Sequence, residues 1–166
     1  PSNPDRNAAW GIGEPSIAGA THVGVVRRVN QDAFFRWDDA QRGNSKTELV
    51  ADDKIKRVVI CSGKVYFDLL AARDAAGIND VYLMRLEQFY PFPAQSMSGE
   101  LARFKDAEIV WCQEEPKNQG AWFECLHHLE RSLPAHIKIR YAGRLHSASP
   151  AVGYYSVHVE QQQQLV

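Results

Sequence analysis

Apolar and polar positions follow two alternating rhythms from residue 57 onward. Four short, largely apolar runs predict buried strands: residues 57–61, 80–89, 107–112 and 137–143. After each run, apolar residues recur every three or four positions, which predicts four helices: residues 65–76, 94–104, 122–133 and 152–165. Strands that alternate with helices predict an α/β fold, with a mainly parallel sheet and helices on both faces.

Turn-forming residues mark the ends of these elements. Ser62 is placed to cap the first helix with its side chain, and Gly77 to end it. Pro91 and Pro93 stop the second strand, and Pro134 ends the third helix. The first third of the chain lacks this rhythm. Its proline and glycine residues indicate an irregular N-terminal extension.

Composition narrows the classes of function. The chain has 166 residues and a formal net charge of -1, so no general attraction to nucleic acid or to an anionic membrane is expected. No apolar run approaches the roughly 20 residues of a membrane-spanning helix, and no secretion signal is seen. The odd number of cysteines predicts reduced thiols in a cytoplasmic-type compartment: Cys61, Cys112 and Cys125.

Three loops follow predicted strands, where parallel sheets bind ligands. The first, "CSGK", places Ser62 and Lys64 at a helix start, where backbone N–H groups and the lysine could hold an anion. The simpler interpretation is a capped helix with a surface lysine. The third, "AGRLHSASP", is rich in turn-forming residues.

The second loop, "WCQEEPKNQGAW", is the most polar. Glu114 and Glu115 could form an acid/base pair, although adjacent side chains point in different directions. Asn118 and Gln119 could fix the loop through side-chain-to-backbone bonds. A structural or interface role is favoured over catalysis.

Cysteine and histidine chemistry is a weaker option. Cys125 and His128 are three residues apart on a predicted helix, a spacing that can bind metal, but further ligands are missing nearby in the sequence. A Cys/His nucleophile pair is equally unsupported, because the cysteines lie in apolar contexts. A buried thiol and a surface imidazole are favoured.

Five motifs carry a family resemblance: "CSGKVYFDLLAAR", "LEQFYPFP", "WCQEEPKNQGAW", "YAGRLHSASPAVG" and "VHVEQQQQLV". In their order and spacing, residues 37–166 resemble the C-terminal domain of the thiamine-diphosphate-dependent 2-oxoglutarate dehydrogenase. The resemblance implies a transketolase C-terminal-like fold and a domain over 37–166, with residues 1–36 as an extension that could be foreign to it.

The resemblance also implies a function. The family decarboxylates 2-oxoglutarate oxidatively in the tricarboxylic acid cycle and passes the succinyl group to the lipoyl arm of dihydrolipoyl succinyltransferase. Thiamine diphosphate and magnesium belong to an earlier domain, whose GDG motif is absent from this sequence. This fragment is therefore expected to bind no cofactor, to hold no catalytic residue and to be inactive alone. The expected partners are the remaining domains of the subunit and a homodimer partner.

The resemblance assigns roles to two sets of residues. Interface or positioning roles are expected for Glu114, Glu115, Asn118, Gln119 and Trp122. Some relatives are regulated by an acyl-CoA, which suggests an alternative function as an anion-binding module with these contacts: Ser62, Lys64, Arg85 and Arg144. The cytoplasm of a bacterium is expected, or the mitochondrial matrix of a eukaryote.

Residues 19–35 resemble instead the start of a PPM-class metal-dependent protein phosphatase. The match would make Arg27 a phosphate contact and Asp32 a metal ligand. His22 and Gln31 depart from the pattern, and one aspartate cannot build a two-metal site. Phosphatase activity is not expected, and a join between unrelated segments near residues 35–37 would explain the two resemblances.

Overall fold

The computed structural model describes residues 35–37 and 47–166. In these ranges the chain forms a 3-10 turn at Asp52–Lys54 and nine strands and helices in the following order: β1 Phe35–Trp37, β2 Arg57–Cys61, α1 Val65–Ala76, β3 Val81–Leu86, α2 Ala94–Leu101, β4 Glu108–Pro116, α3 Trp122–Ser132, β5 Ile139–Arg144 and α4 Tyr155–Leu165.

The strands form one sheet in the order β1-β3-β2-β4-β5. β2 pairs in parallel with both β3 and β4, and β4 pairs in parallel with β5. The predicted parallel α/β sheet is therefore confirmed. β1 adds an antiparallel edge next to β3. It was not predicted as a separate strand, because three residues are too few to show a period of two.

Helices cover both faces of the sheet, as predicted. Side chains alternate along a strand, so Val58 and Ile60 lie in one apolar cluster and Val59 and Cys61 in the other. The first cluster is completed by α2 and α3, through residues such as Met97, Leu101, Cys125 and Leu129. The second is completed by α1, with Leu165 of α4 packed against it. No helix in the described part of the chain is long and apolar enough to cross a bilayer.

Several element ends differ from the predicted ones. β3 ends at Leu86 and α2 at Leu101, while α4 begins at Tyr155, so all three are shorter than predicted. β4 is longer, because Gln113 and Pro116 still pair with β5 across a register shift. The apolar pattern stops at Cys112, but backbone pairing continues into the polar loop.

The start of α1 also corrects a prediction. Ser62 does not cap this helix: the N-cap position is Lys64, which makes no side-chain capping bond. The chain turns into the helix at Gly63, whose φ of 68° lies in the left-handed region that favours glycine. At the other end the prediction is confirmed. Gly77 ends α1 in the left-handed conformation and donates its N–H to the carbonyls of Arg73 and Asp74.

Phe104 tests the core between the sheet and α2. Its side chain is 1% exposed and its ring centroid lies 4.6 Å from that of Tyr82. Phe104→Ala is expected to lower the free energy of unfolding by about 3–5 kcal/mol, because it removes buried contacts and leaves a cavity. Chemical denaturation measures the change. The control Phe123→Ala, at a ring that is 55% exposed, is expected to cost much less. Equal losses for the two variants would contradict the packing described.

Candidate functional site

The parallel strands bring four loops to one edge of the sheet. β2, β3, β4 and β5 all run toward this carboxyl edge. The sequence-predicted interface and anion-contact residues lie in the loops that follow these strands, or at the adjoining ends of the strands and helices. The candidate site is therefore this edge, and its centre is the end of β4.

Gln113 organises the end of β4. Its side chain is 1% exposed, and its Oε1 accepts from Trp111 Nε1 at 3.0 Å and from the backbone N–H of Trp122 at 2.9 Å. Its Nε2 donates to the carbonyl of Gln119 at 2.7 Å, with the carbonyls of Pro116 and Glu115 at 3.2 and 3.3 Å. One carboxamide thus joins the strand, the loop and the start of α3.

Sequence reasoning missed Gln113. The available signal was its place in the alternating pattern of the strand. Ile109, Trp111 and Gln113 lie on the same side of β4, so the glutamine side chain points to the interior like the two core residues before it. A polar side chain in that position needs hydrogen-bond partners. Gly120 makes room for it, because a Cβ there would lie 2.9 Å from Gln113 Nε2. Its φ of +65° also favours glycine.

The side chains of Glu114 and Glu115 point to opposite sides of β4. Glu114 lies 3.2 Å from Lys64 Nζ at the start of α1. Glu115 is exposed and lines a cleft of about 450 Å³ on the side of α3, together with Ser62, Glu124, Cys125 and His128. The strand geometry therefore separates the two carboxylates that an acid/base pair would need side by side.

Asn118 and Gln119 connect the loop after β4 to the loop after β5. Asn118 Nδ2 donates to the carbonyl of Ser147 at 2.9 Å, and its Oδ1 accepts from the Ser147 N–H at 2.9 Å. Gln119 Nε2 donates to the same carbonyl at 3.2 Å. Trp122 is buried, and its ring centroid lies 5.2 Å from that of Tyr141 on β5. Asn118 and Gln119 thus join the two loops, and Trp122 packs against β5.

The residues suggested as anion contacts are engaged with neighbouring groups. Lys64 contacts Asp68 at 2.5 Å as well as Glu114, and hydrogen bonding to Asp68 is the main cause that raises its pKa. Arg85 is ion-paired with Glu87 and lies over the rings of Tyr66 and Phe67, 5.2 and 4.9 Å from their centroids.

Ser62 and Arg144 line different cavities. Ser62 lies in the 450 Å³ cleft, whereas Arg144 lines a cavity of about 590 Å³ beside β5. The anion-binding role of these residues therefore stays a prediction. Arg27 and Asp32 lie outside the described residues, as does nearly all of the phosphatase-like segment.

Cys125 and His128 lie in an environment unlike that of a reactive pair. Burial raises the pKa of the Cys125 thiol to about 12, which disfavours the nucleophilic thiolate. His128 is half-buried and lines the same 450 Å³ cleft, and its ring stacks on Phe92 with centroids 4.7 Å apart. Burial is the main cause that lowers its pKa. Among the described residues, no group of three or more histidine, cysteine or acidic side chains could hold a metal ion.

Comparison with known proteins places the chain in a family. The family model described as "2-oxoglutarate dehydrogenase C-terminal" matches residues 30–166. The chain belongs to the 2-oxoglutarate dehydrogenase C-terminal family. The match begins before residue 37, the predicted start of the domain.

Curated relatives agree with the family match. The 2-oxoglutarate dehydrogenase E1 component of Brucella anthropi is 55% identical over 152 residues, which cover 84% of this chain and 15% of that protein. The E1 component of Brucella ovis is 55% identical over 139 residues, covering 79% of this chain and 14% of the relative. The chain thus spans about a seventh of the length of these relatives.

Gln113→Leu tests the centre of the site. The substitution leaves the N–H groups of Trp111 and Trp122 without their acceptor, at about 1–3 kcal/mol for each buried group. We expect a loss of about 2–5 kcal/mol in the free energy of unfolding by chemical denaturation. The control Gln163→Leu, on the exposed side of α4, is expected to change it little. A stable Gln113→Leu variant would contradict this account.

Thiol labelling tests the burial of the cysteines. Cys61, Cys112 and Cys125 are free and buried, and burial raises the pKa of the Cys112 thiol to about 12. We expect a disulfide reagent at mildly alkaline pH to label none of them rapidly in the folded protein and all of them in denaturant. Mass spectrometry counts the labels, and rapid labelling of the native chain would contradict the burial.

Proposed function

We propose that this chain is the C-terminal structural and interface domain of a 2-oxoglutarate dehydrogenase E1 component. The observation that carries the proposal is the 55% identity to such components across most of the chain. In this proposal the whole subunit carries out the oxidative decarboxylation of 2-oxoglutarate, and this domain supports it without contributing a reacting group.

The geometry of the carboxyl edge favours a structural role for this domain. Gln113, Asn118 and Gln119 use their side chains to hold backbone, and Glu114 is engaged with Lys64. Large side chains are exposed close to this edge, including Phe89 at 42% and Tyr90 at 88%. Aromatic residues are enriched in protein interfaces. We therefore propose that Glu115 and Trp122 belong to a contact region between domains or subunits. In this region the buried Trp122 supports the exposed residues from the interior.

The cofactors are proposed to bind elsewhere in the subunit. Thiamine diphosphate, together with magnesium, would supply the decarboxylation chemistry there. Magnesium prefers oxygen ligands such as carboxylates, and the described residues form no cluster suited to a metal. We therefore assign no step of the reaction to the described residues.

Partners and boundaries follow from the same proposal. The remaining domains of the subunit, a second copy of it and dihydrolipoyl succinyltransferase are the proposed partners, and the cytoplasm is the proposed location. The domain starts between residue 30, where the family match begins, and residue 37. Residues before it form the extension. No observation favours the effector-binding or phosphatase alternatives as a second function.

A domain exchange tests the proposal. Residues 30–166 replace the corresponding segment of the Brucella anthropi E1 component, and decarboxylation of 2-oxoglutarate is measured with thiamine diphosphate and magnesium. We expect the chimera to assemble and to be active, and the 166-residue chain alone to be inactive. Turnover by the isolated chain, or a well-folded chimera that cannot assemble, would refute the proposal.

Glu115 provides a sharper version of this test. Glu115→Gln in the chimera keeps the shape of the side chain and removes its charge, so we expect the chemical step to be retained. Gln113→Leu in the same chimera serves as the comparison, because it disturbs the loop itself and is expected to impair assembly. If Glu115→Gln left assembly intact and abolished decarboxylation, Glu115 would be catalytic and the supporting role would be wrong.

A further inference from the structure

The cleft beside α3 contains two carboxylates that no described side chain neutralises. Glu115 and Glu124 are exposed, and both line this cleft of about 450 Å³. Neither forms an ion pair with another described residue, whereas the neighbouring Glu114 meets Lys64. We call this space the α3 cleft, and its walls include the following residues: Phe89, Tyr90, Glu115, Glu124, Cys125 and His128.

The electrostatics of the α3 cleft favour a cation. In the part of the chain that the structure describes, no lysine or arginine lines it. Burial is the main cause that lowers the pKa of His128, so this imidazole adds no positive charge near neutral pH. The start of α3 lies at the cleft through Gly120 and Ala121 and contributes about half a positive charge. Two full negative charges outweigh that contribution.

Two aromatic side chains line the same cleft. Tyr90 is 88% exposed and Phe89 is 42% exposed, and both lie in the loop after β3. The faces of such rings attract cations that come within about 6 Å of the ring centroid. Arginine suits this combination, because its planar guanidinium stacks on aromatic rings and also pairs with carboxylates. A lysine ammonium is more strongly hydrated and makes less use of the rings.

A role in helix stabilisation accounts for only part of this arrangement. Glu124 lies in the first turn of α3, where an acidic side chain interacts favourably with the helix dipole. Glu115 instead belongs to β4, and Tyr90 lies in the loop after β3. Three separate segments thus bring acidic and aromatic side chains to one cleft.

We propose that the α3 cleft receives an arginine side chain from the part of the E1 subunit that lies outside this chain. The chain spans about a seventh of the length of its curated relatives, so most of the subunit is available to cover the carboxyl edge. The inference rests on the proposed function and adds the chemistry of the contact: Glu115 and Glu124 attract the guanidinium, and Tyr90 packs against its plane.

A side-chain probe tests this chemistry on the whole 166-residue chain. N-acetyl-arginine amide is titrated into isotope-labelled protein, and NMR follows the backbone amide signals of Glu115, Gly120 and Glu124. We expect shifts that saturate at millimolar concentrations, weaker binding of the lysine amide and no binding of the uncharged citrulline amide. Equal binding of the arginine and citrulline amides, shifts caused instead by N-acetyl-aspartate amide, or no saturable shift at all would overturn the proposal.

Substitutions assign the binding to the named side chains. Glu115→Gln and Glu124→Gln are each expected to weaken binding of the arginine amide by about two- to fivefold, as for an exposed ion pair. Tyr90→Ala is expected to weaken it by about the same factor. Glu130→Gln is the control, because Glu130 is exposed on α3 but does not line the cleft. Unchanged affinity when Glu115 and Glu124 are both replaced, or an equal loss in the control, would refute the assignment.

The chimera with the Brucella anthropi E1 component identifies the source of the arginine. Hydrogen exchange in residues 87–93 and 118–121 is expected to be slower in the assembled chimera than in the isolated chain. Replacing Glu115 and Glu124 together by glutamine is expected to return exchange toward that of the isolated chain. If this variant instead kept its protection and lost binding to dihydrolipoyl succinyltransferase, the arginine would belong to that partner. An active chimera with no added protection at the cleft would overturn this inference and leave the proposed function intact.

Discussion

The buried carboxamide of Gln113 is the interaction on which the carboxyl edge depends. It is one of the few polar side chains in the described interior, and it accepts from Trp111 and from the start of α3 while donating to the loop between them. A buried amide that satisfies its partners specifies one arrangement, because any other leaves donors or acceptors unpaired. The tight fit of Gly120 against it has the same effect.

The other contacts at the carboxyl edge follow from that arrangement. Once the loop after β4 is held, Asn118 and Gln119 reach Ser147 and fix the loop after β5. Glu114 meets Lys64 at the start of α1, and Arg144 reaches α4. Gln113, Asn118 and Gln119 thus use their side chains to hold backbone. This agrees with the structural role that we propose for the domain.

Periodicity predicted most of the fold. It failed where backbone pairing or a local turn determined the end of an element. The four parallel strands and the helices on both faces follow from apolar spacing, because burial of one strand face and one helix stripe sets that spacing. The extension of β4 to Pro116 could not be read this way, since it depends on pairing with β5. Ser62 looked like a helix cap, but the turn at Gly63 places the N-cap position at Lys64.

The sequence by itself determined the fold class, the family and the polar character of the loop between Trp111 and Trp122. Each of these depends on local composition, spacing or motif order, which the linear chain contains. Only the tertiary structure decided that Gln113 lies inside, that Glu114 and Glu115 face opposite sides, and that Arg144 meets His158 across two elements. These pairings join residues distant in sequence, or depend on which face of a strand is buried, and the packing of sheet and helices sets both.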